Sequence, residues 1–443
     1  MPHHIVIPAL ADCQRTELET LRNAGDCLFH PLLDVRTLVE AGQVDFNALL
    51  QQCRTALAAL GVPITGLIAH WDFPTSVLVP MLSRDQALPS PSLESVLMCE
   101  HKYWSRLLQQ QVIPEYVPRF SVLDPFSEHS ADNIGLPFPF WIKPVKSFSS
   151  QLGFRIENTA DLEQALAEIR AGIGHLGDAF DQALAHIDLP ASLHGIGGRH
   201  CIIEEIVEGV QVAPEGSVAN GHFQVHGLFD MQRDAAGQRY ENLIYPSSLP
   251  RSVQERIAEA CRKFLHHIGF DNGCFNAEFI WDAATDQLRV IEFNTRISQS
   301  HSEMFVMVDG VSNHEVALDV LLGRTPQMPR GEGRYPVAGK FSIPYPDDAI
   351  VTAVPDKRDM QTLAARFPGL DIRLHVSPGM RLSTLPNQDS YCYQLGDIYL
   401  GAESREALLA NYQACLQALP FAFEPLLPQG ARSAQAAGAA HHD

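Results

Sequence analysis

The sequence predicts a multidomain chain in which an α/β domain is followed by α+β domains. Strand-like and helix-like patterns alternate up to about residue 91, a hairpin pattern occupies residues 274–301, and mostly strand-like patterns follow residue 335. Alternating strands and helices are typical of a parallel sheet covered by helices. A chain of 443 residues is also too long for one hydrophobic core, so several domains are expected.

The first 91 residues are predicted to form a small parallel α/β domain. Buried strands are indicated at residues 4–8 and 64–70. No G-x-G-x-x-G motif is present, so this domain is not predicted to bind a dinucleotide. Asp72 follows the last of these strands, where an open parallel sheet presents its ligand-binding loops, and is a candidate for substrate binding. A helix cap or a turn is the alternative role.

Charge and composition restrict the class of ligand. Lys and Arg number 32 against 52 Asp and Glu, and the net charge of −20 argues against nucleic acid or an anionic membrane as a partner. Small-molecule ligands are therefore expected. Nine cysteines without a C-x-x-C pair suggest neither a zinc site nor a disulfide framework. Because no signal peptide and no apolar run of about 20 residues is recognised, a cytoplasmic protein is expected.

Basic residues in two segments suit an anionic ligand. Lys102 lies in a predicted helix, where a solvated position is the alternative. Lys143 lies inside an almost continuous apolar strand, and a buried ammonium group needs an anion beside it. The polar loop 146–153 follows, and its backbone N–H groups could fold over a phosphate chain.

An acidic segment, CIIEEIVEG at residues 201–209, ends a predicted buried strand. Its exposed main chain could pair with the edge of an adenine ring while a glutamate reaches the ribose hydroxyl groups. For this segment alone, a strand that runs into a solvated acidic turn is an equally good interpretation.

The stretch 274–301 is predicted to be a β-hairpin. Its polar face would carry two carboxylates, two carboxamides and a guanidinium, from Glu278, Glu292, Asn276, Asn294 and Arg296. Its core face would carry Phe275, Ala277, Phe279, Ile291 and Phe293. In this register Glu278 faces Glu292, and directly opposed like charges need a compensating cation. Hard oxygen ligands suit Mg²⁺, whereas a solvent-facing strand pair is the alternative.

Taken in chain order, these segments resemble the ATP-grasp superfamily. The resemblance is carried by Lys102, Lys143 in WIKPVKSFSSQLGF, the EEIVEG segment, Glu278 in NAEF, and Arg296 in IEFNTR. It covers about residues 92–324, and it points to the branch that contains L-amino acid ligases and biotin carboxylases.

The resemblance implies a domain organisation. A preATP-grasp α/β domain is expected at residues 1–91 and an ATP-grasp domain at residues 92–325, with a small lid lobe at about 120–208. A mostly β, α+β C-terminal domain is expected at residues 335–425. Residues 429–443 are rich in Ala, Gly, Ser and Gln, and are expected to be a disordered tail.

The resemblance also implies residue roles. The nucleotide would be bound by Lys102, Lys143, Lys146, Ser149, Ser150, Glu204, Glu205, Val207, Glu208 and Gln211. Many relatives carry a ribose-binding Glu near the position of Gln211, so Glu208 and Glu215 are alternative ribose ligands. The metal ion would be held by Glu278, Glu292 and Asn294, and Arg296 and Lys143 would act in catalysis. Substrate contacts would come from Asp72, Ser298, Ser300 and His301.

The implied activity is that of an ATP-dependent carboxylate–amine ligase. A carboxylate would attack the γ-phosphate of ATP to give an acyl phosphate and ADP, and an amine would then displace phosphate. The expected ligands are ATP, Mg²⁺ or Mn²⁺, and small-molecule carboxylate and amine substrates, and a homodimer is left open. Two alternatives remain: a biotin-carboxylase-like enzyme that activates bicarbonate, and a nucleotide-binding protein without catalysis. No A-M-K-M biotin-attachment segment is present, although that domain could lie on another polypeptide.

Overall fold

The structure, a computed structural model, describes residues 2–38, 44–128, 134–147, 152–233, 240–385 and 392–426. Within these ranges the chain forms four β-sheets whose apolar faces pack into adjoining cores. The predicted combination of an α/β region with α+β regions is confirmed. The expected tail, residues 429–443, lies outside the described residues. No described helix is long and apolar enough to cross a membrane.

The N-terminal region is a three-stranded parallel sheet with flanking helices. Its elements are β1 (His3–Pro8), α1 (Asp12–Glu19), β2 (Cys27–Leu32), α2 (Val35–Leu38), α3 (Phe46–Ala59), β3 (Gly66–Leu67) and α4 (Thr75–Asp85). Both β2 and β3 pair in parallel with β1, as predicted. The strand predicted at residues 64–70 is shorter than expected, and the indole N–H of Trp71 donates to the Ala9 carbonyl oxygen (3.0 Å). Asp72 therefore lies at the carboxyl edge of this sheet.

Two helices lead from this region into a small lobe with a four-stranded antiparallel sheet. The elements are α5 (Leu93–Glu100), α6 (Lys102–Val112), β4 (Phe120–Leu123), β5 (Phe140–Pro144), β6 (Phe154–Ile156), α7 (Thr159–Gly172), α8 (Gly174–Leu184) and β7 (Cys201–Glu205). The strand order is β4-β7-β5-β6. Helix α8 also packs against the N-terminal region, where the rings of Phe180 and Phe73 lie 5.6 Å apart.

An eight-stranded sheet and a separate two-stranded sheet form the rest of the described chain together with their covering helices. The first elements are β8 (Val210–Ala219), β9 (His222–Arg233), β10 (Tyr240–Tyr245), α9 (Arg251–His267), β11 (Gly273–Asp282), β12 (Gln287–Asn294), α10 (Ser302–Asp309) and α11 (Asn313–Leu321). The remaining elements are β13 (Val337–Tyr345), β14 (Ala349–Ala353), α12 (Lys357–Arg366), β15 (Asp371–Leu374), β16 (Tyr393–Ala402), α13 (Arg405–Ala418) and β17 (Ala422–Pro425). The order β12-β11-β8-β9-β10-β13-β16-β15 makes the C-terminal strands continue the central sheet.

The hairpin of β11 and β12 has the predicted register at its polar end. Asn276 pairs with Asn294 and Glu278 pairs with Glu292. The register then shifts, so that Phe279 pairs with Val290 and Ile291 becomes the extra residue of a β-bulge. The prediction that Ile291 faces the core is therefore wrong, because the bulge moves the alternation by one residue and Val290 is fully buried instead.

Candidate functional site

Lys102 lies at the break between two helices and faces the hairpin. His101 ends α5 and begins α6, and its Nδ1 accepts a hydrogen bond from the Trp104 backbone N–H (3.1 Å). The Lys102 Nζ lies 3.6 Å from Glu292 Oε2 and donates to the Ser147 carbonyl oxygen (2.7 Å). Burial lowers the pKa of Lys102 to about 8, although the Glu292 carboxylate opposes this shift. A bound phosphate would therefore stabilise the charged ammonium group.

The ammonium group of Lys143 has the anion that its position in a strand requires. Its Nζ lies 2.7 Å from Glu204 Oε2, and Glu204 Oε1 accepts from Arg106 Nε (2.6 Å). Arg106 also donates to the Ile291 carbonyl oxygen (2.7 Å) and so links helix α6 to the hairpin. Burial raises the pKa of Glu204, but Arg106 and Lys143 outweigh burial and lower this pKa to about 2. The Glu204 carboxylate is thus engaged as the counter-ion of two cations.

Arg296 and Asp72 form a two-point ion pair between the hairpin and the N-terminal region. Arg296 Nε and Nη2 each lie 2.7 Å from a carboxylate oxygen of Asp72. Burial raises the pKa of Asp72, but the Arg296 guanidinium outweighs burial and lowers it. The two side chains are 16 % and 29 % exposed, so the pair stays accessible. A substrate carboxylate could therefore compete with Asp72 for the guanidinium.

Lys146 lies beside this pair and is 4 % exposed. Its Nζ pairs with Glu100 Oε2 at the end of α5, and it lies 5.5 Å from the centre of the Phe73 ring. The other oxygen of Glu100 accepts a hydrogen bond from Ser76 Oγ (2.6 Å). The site thus combines cations from α6, β5, the segment after β5, and the segment after β12.

The two opposed glutamates are the candidate oxygen ligands for a metal ion. Glu278 Oε2 accepts from Gln211 Nε2 (2.5 Å), while Glu292 faces Lys102. These carboxylates and the Asn294 carboxamide fit Mg²⁺, which prefers oxygen ligands and usually shares them with phosphate. Within the described ranges, no group of three or more His, Cys, Asp and Glu side chains forms a metal site. A metal ion held by these three side chains would therefore also be bound by phosphate oxygens.

Glu215 holds the loop that follows Arg296. Its Oε2 lies 2.6 Å from His301 Nδ1 and accepts from the Ser298 backbone N–H (3.1 Å). Its Oε1 accepts from Asn313 Nδ2 (2.6 Å). Glu215 is only 1 % exposed, so it lies beneath the loop. Its carboxylate therefore supports the loop.

The loop itself contacts two other parts of the sheet. The Ser300 hydroxyl accepts from Lys340 Nζ (3.2 Å) on β13. The His301 ring stacks on Phe229, with ring centres 3.6 Å apart, and is buried. Ser298 and Ser300 thus lie on the half-buried side of the loop, whereas His301 belongs to its support.

The other predicted nucleotide ligands differ in their burial and in their contacts. Glu205 pairs with Arg119 (2.6 Å), Val207 is half-buried, and Glu208 is exposed beyond the end of β7. The predicted phosphate ligands Ser149 and Ser150 lie outside the described residues.

Three charged residues of the site are not among the candidates predicted from the sequence, namely Glu100, Arg106 and Lys340. Arg106 follows Lys102 by four residues in one helix, and residues at this spacing share a helix face. Lys340 lies in the strand VAGKFSIPY and, like Lys143, is a lysine within a mostly apolar strand. The sequence therefore contains a signal for Arg106 and one for Lys340. Glu100 has no such signal, because its contact with Lys146 forms only in the tertiary structure.

The comparisons with known proteins agree with this geometry. The model of the ATP-grasp domain family matches residues 136–303, a segment that contains Lys143, Glu278, Glu292 and Arg296. No curated protein sequence matches the chain.

Several solved structures share the fold over nearly the whole chain. An L-amino acid ligase from Bacillus licheniformis has a TM-score of 0.68 and 16 % identity, covering 95 % of this chain and 99 % of that one. A biotin carboxylase from Campylobacter jejuni, in a β-γ-ATP complex, has a TM-score of 0.64 and 14 % identity, covering 96 % and 92 %. A carboxyaminoimidazole ribonucleotide synthase from Aspergillus clavatus, complexed with ATP, has the same TM-score of 0.64 and 14 % identity, covering 94 % and 98 %.

These matches show the family of one domain and the fold of the chain. Residues 136–303 are an ATP-grasp domain, and the chain as a whole has the fold of ATP-grasp ligases. The predicted resemblance to this superfamily is therefore confirmed, by the domain family for residues 136–303 and by the fold for the chain as a whole.

Proposed function

We propose that the protein is an ATP-dependent carboxylate–amine ligase that joins small molecules through an acyl phosphate. The supporting observation is the convergence of four cations around Glu292 of the hairpin. Lys102 comes from α6, Lys143 and Lys146 come from the end of β5 and the residues just after it, and Arg296 follows β12. Each of the first three influences the charge of Glu292, which burial would otherwise make harder to ionise.

The charges suit the meeting of a carboxylate with a triphosphate. Two anions repel each other strongly in a partly buried site, so the reaction needs nearby positive charge and fixed positions. In the proposed arrangement Lys102 and Lys143 hold phosphate oxygens, and Glu278 and Glu292 hold the metal ion. Mg²⁺, when bound, supplies charge that neutralises the phosphate oxygens.

Arg296 is proposed to bind the reacting carboxylate. Its guanidinium already holds the two oxygens of Asp72 at 2.7 Å, which is the geometry in which arginine binds a carboxylate. Asp72 keeps the arginine in place and would share or release it when the substrate arrives. The carboxylate oxygen then attacks the γ-phosphorus, ADP leaves, and the amine attacks the acyl carbon and expels phosphate.

A bicarbonate-activating enzyme is the second candidate. It is favoured by the likeness to a biotin carboxylase, which covers 96 % of this chain. In that case bicarbonate would take the place of the substrate carboxylate at Arg296, and biotin would replace the amine.

Phosphate release from Mg·ATP tests these candidates directly. A panel of amino acids and other small carboxylates is assayed with and without amine acceptors, and bicarbonate with biotin forms a separate arm. ADP formation that needs a carboxylate and gives an amide with an amine supports the ligase. Turnover that needs only bicarbonate and biotin supports the second candidate, and nucleotide binding without turnover in any arm contradicts both.

A further inference from the structure

Lys146 is placed differently from the other lysines of the site. Lys102 and Lys143 lie against Glu292 and Glu204, whereas the side chain of Lys146 reaches Glu100. It is almost fully buried and lies over the Phe73 ring, with Nζ 5.5 Å from the ring centre. This position is next to the Asp72 loop, so Lys146 lies on the carboxylate side of the site.

One turn of the N-terminal region connects Lys146 with the carboxylate-binding pair. The Asp72 carbonyl oxygen accepts from the backbone N–H groups of Thr75 (3.0 Å) and Ser76 (3.4 Å). The side chain of Asp72 holds Arg296, and the hydroxyl of Ser76 holds Glu100 (2.6 Å). The same turn therefore fixes both the guanidinium and, through Glu100, the Lys146 ammonium group.

Electrostatic coupling agrees with this placement. Burial raises the pKa of Asp72. The Arg296 guanidinium lowers this pKa, and the Lys146 cation lowers it further. It also contributes to lowering the pKa of Glu292, against the effect of burial. Lys146 is therefore close to the carboxylate that holds Arg296 as well as to the proposed metal-binding carboxylate.

We propose that Lys146 contacts the transferred phosphoryl group and the attacking carboxylate oxygen, and that Glu100 is the residue that positions it. This inference rests on the proposed ligase function. As the bond from the carboxylate oxygen to the γ-phosphorus forms and the bond to ADP breaks, negative charge shifts among the oxygens beside Lys146. The lysine keeps its protons throughout and stabilises that charge. Ser76 assists by holding Glu100.

The test separates this role from binding of the nucleotide alone. Lys146→Met keeps the length of the side chain and removes its charge. We expect a fall of about 100-fold in kcat/KM for the carboxylate, the effect typical of losing one preorganised electrostatic contact. The Kd for Mg·ADP, measured without carboxylate, should change by less than about threefold. A large rise in this Kd, or an unchanged kcat/KM for the carboxylate, would overturn the assignment.

A double-mutant cycle tests the positioning role of Glu100. Glu100→Gln should lower kcat/KM for the carboxylate by about tenfold, while Glu100→Gln combined with Lys146→Met should be no worse than Lys146→Met alone. The double variant removes both charges of a buried pair, so it is also expected to fold if a single variant does not. The control is Glu94→Gln, on the exposed side of α5. Additive losses would show that Glu100 does not act through Lys146.

The outcomes distinguish this inference from the proposed function. Wild-type protein that forms no ADP in response to any carboxylate would contradict the proposed function and the inference with it. Wild-type activity with unaffected Lys146 and Glu100 variants would overturn the inference alone.

Discussion

Replacing Glu204 by Gln removes the anion shared by Lys143 and Arg106 while keeping the size of the side chain. Glu204 lies 2.7 Å from Lys143 Nζ and 2.6 Å from Arg106 Nε, and these two cations are only 13 % and 3 % exposed. A carboxamide can still accept a hydrogen bond, but it leaves two largely buried cations without a counter-charge. We therefore expect the variant to be strongly destabilised.

The size of this effect follows from the pKa of Glu204. Burial raises this pKa, but Arg106 and Lys143 outweigh burial and bring it from the ordinary 4.5 to about 2. At about 1.4 kcal/mol per pKa unit, the difference contributes about 3 kcal/mol to the free energy of unfolding at pH 7. Because the pKa is depressed in the folded state, the contribution is present above about pH 4.5 and is lost as the pH falls towards about 2.

Urea unfolding followed by circular dichroism measures this contribution. Glu204→Gln should lower the free energy of unfolding by about 3 kcal/mol at pH 7 and by about half as much at pH 3. Glu205→Gln is the matched control, since its partner Arg119 is 66 % exposed and such pairs contribute about 1 kcal/mol or less. The contribution assigned to Glu204 would be contradicted if both variants lowered the free energy of unfolding equally. It would also be contradicted if Glu204→Gln lowered this free energy as much at pH 3 as at pH 7.

Three further predictions concern the activity. Glu292→Gln should abolish Mg²⁺-dependent turnover without changing the circular dichroism spectrum, and a normal Mg²⁺ titration would remove the metal assignment. Arg296→Lys should lower kcat for carboxylate-dependent ADP formation by about 100-fold, because lysine cannot replace a two-point contact; near-normal kcat would contradict this role. Burial lowers the pKa of Lys102 to about 8, so kcat/KM for Mg·ATP should fall as the pH rises through 8. Lys102→Arg stays charged in that range, and a retained decline would rule out Lys102 as its cause.

The local features of the site could be predicted because their patterns are short and strongly constrained. The alternation of apolar and polar residues fixed the pairing of Glu278 with Glu292, since a slip of one residue would expose the core face. Likewise, a lysine in an apolar strand required a nearby anion, and the structure provides Glu204.

Other features depend on contacts that no local pattern reveals. The β-bulge at Ile291 inserts one extra residue, which the alternation of apolar and polar residues does not indicate. The sequence therefore predicts Ile291 on the core face, where the structure has Val290. The ion pair of Arg296 and Asp72 joins residues 224 positions apart. The sequence identifies each residue as a candidate for the site but does not indicate that the two pair. Glu100 becomes informative only when the end of α5 packs beside Lys146.

Isotope transfer shows whether an oxygen of the substrate carboxylate, bound at Arg296, attacks the γ-phosphorus of ATP. A carboxylate that supports turnover is labelled with ¹⁸O and incubated with Mg·ATP, the amine and the protein, and the released phosphate is analysed by mass spectrometry. We expect phosphate with one ¹⁸O atom, because the attacking oxygen leaves with phosphate when the amine forms the amide. Amide formation with unlabelled phosphate would contradict it.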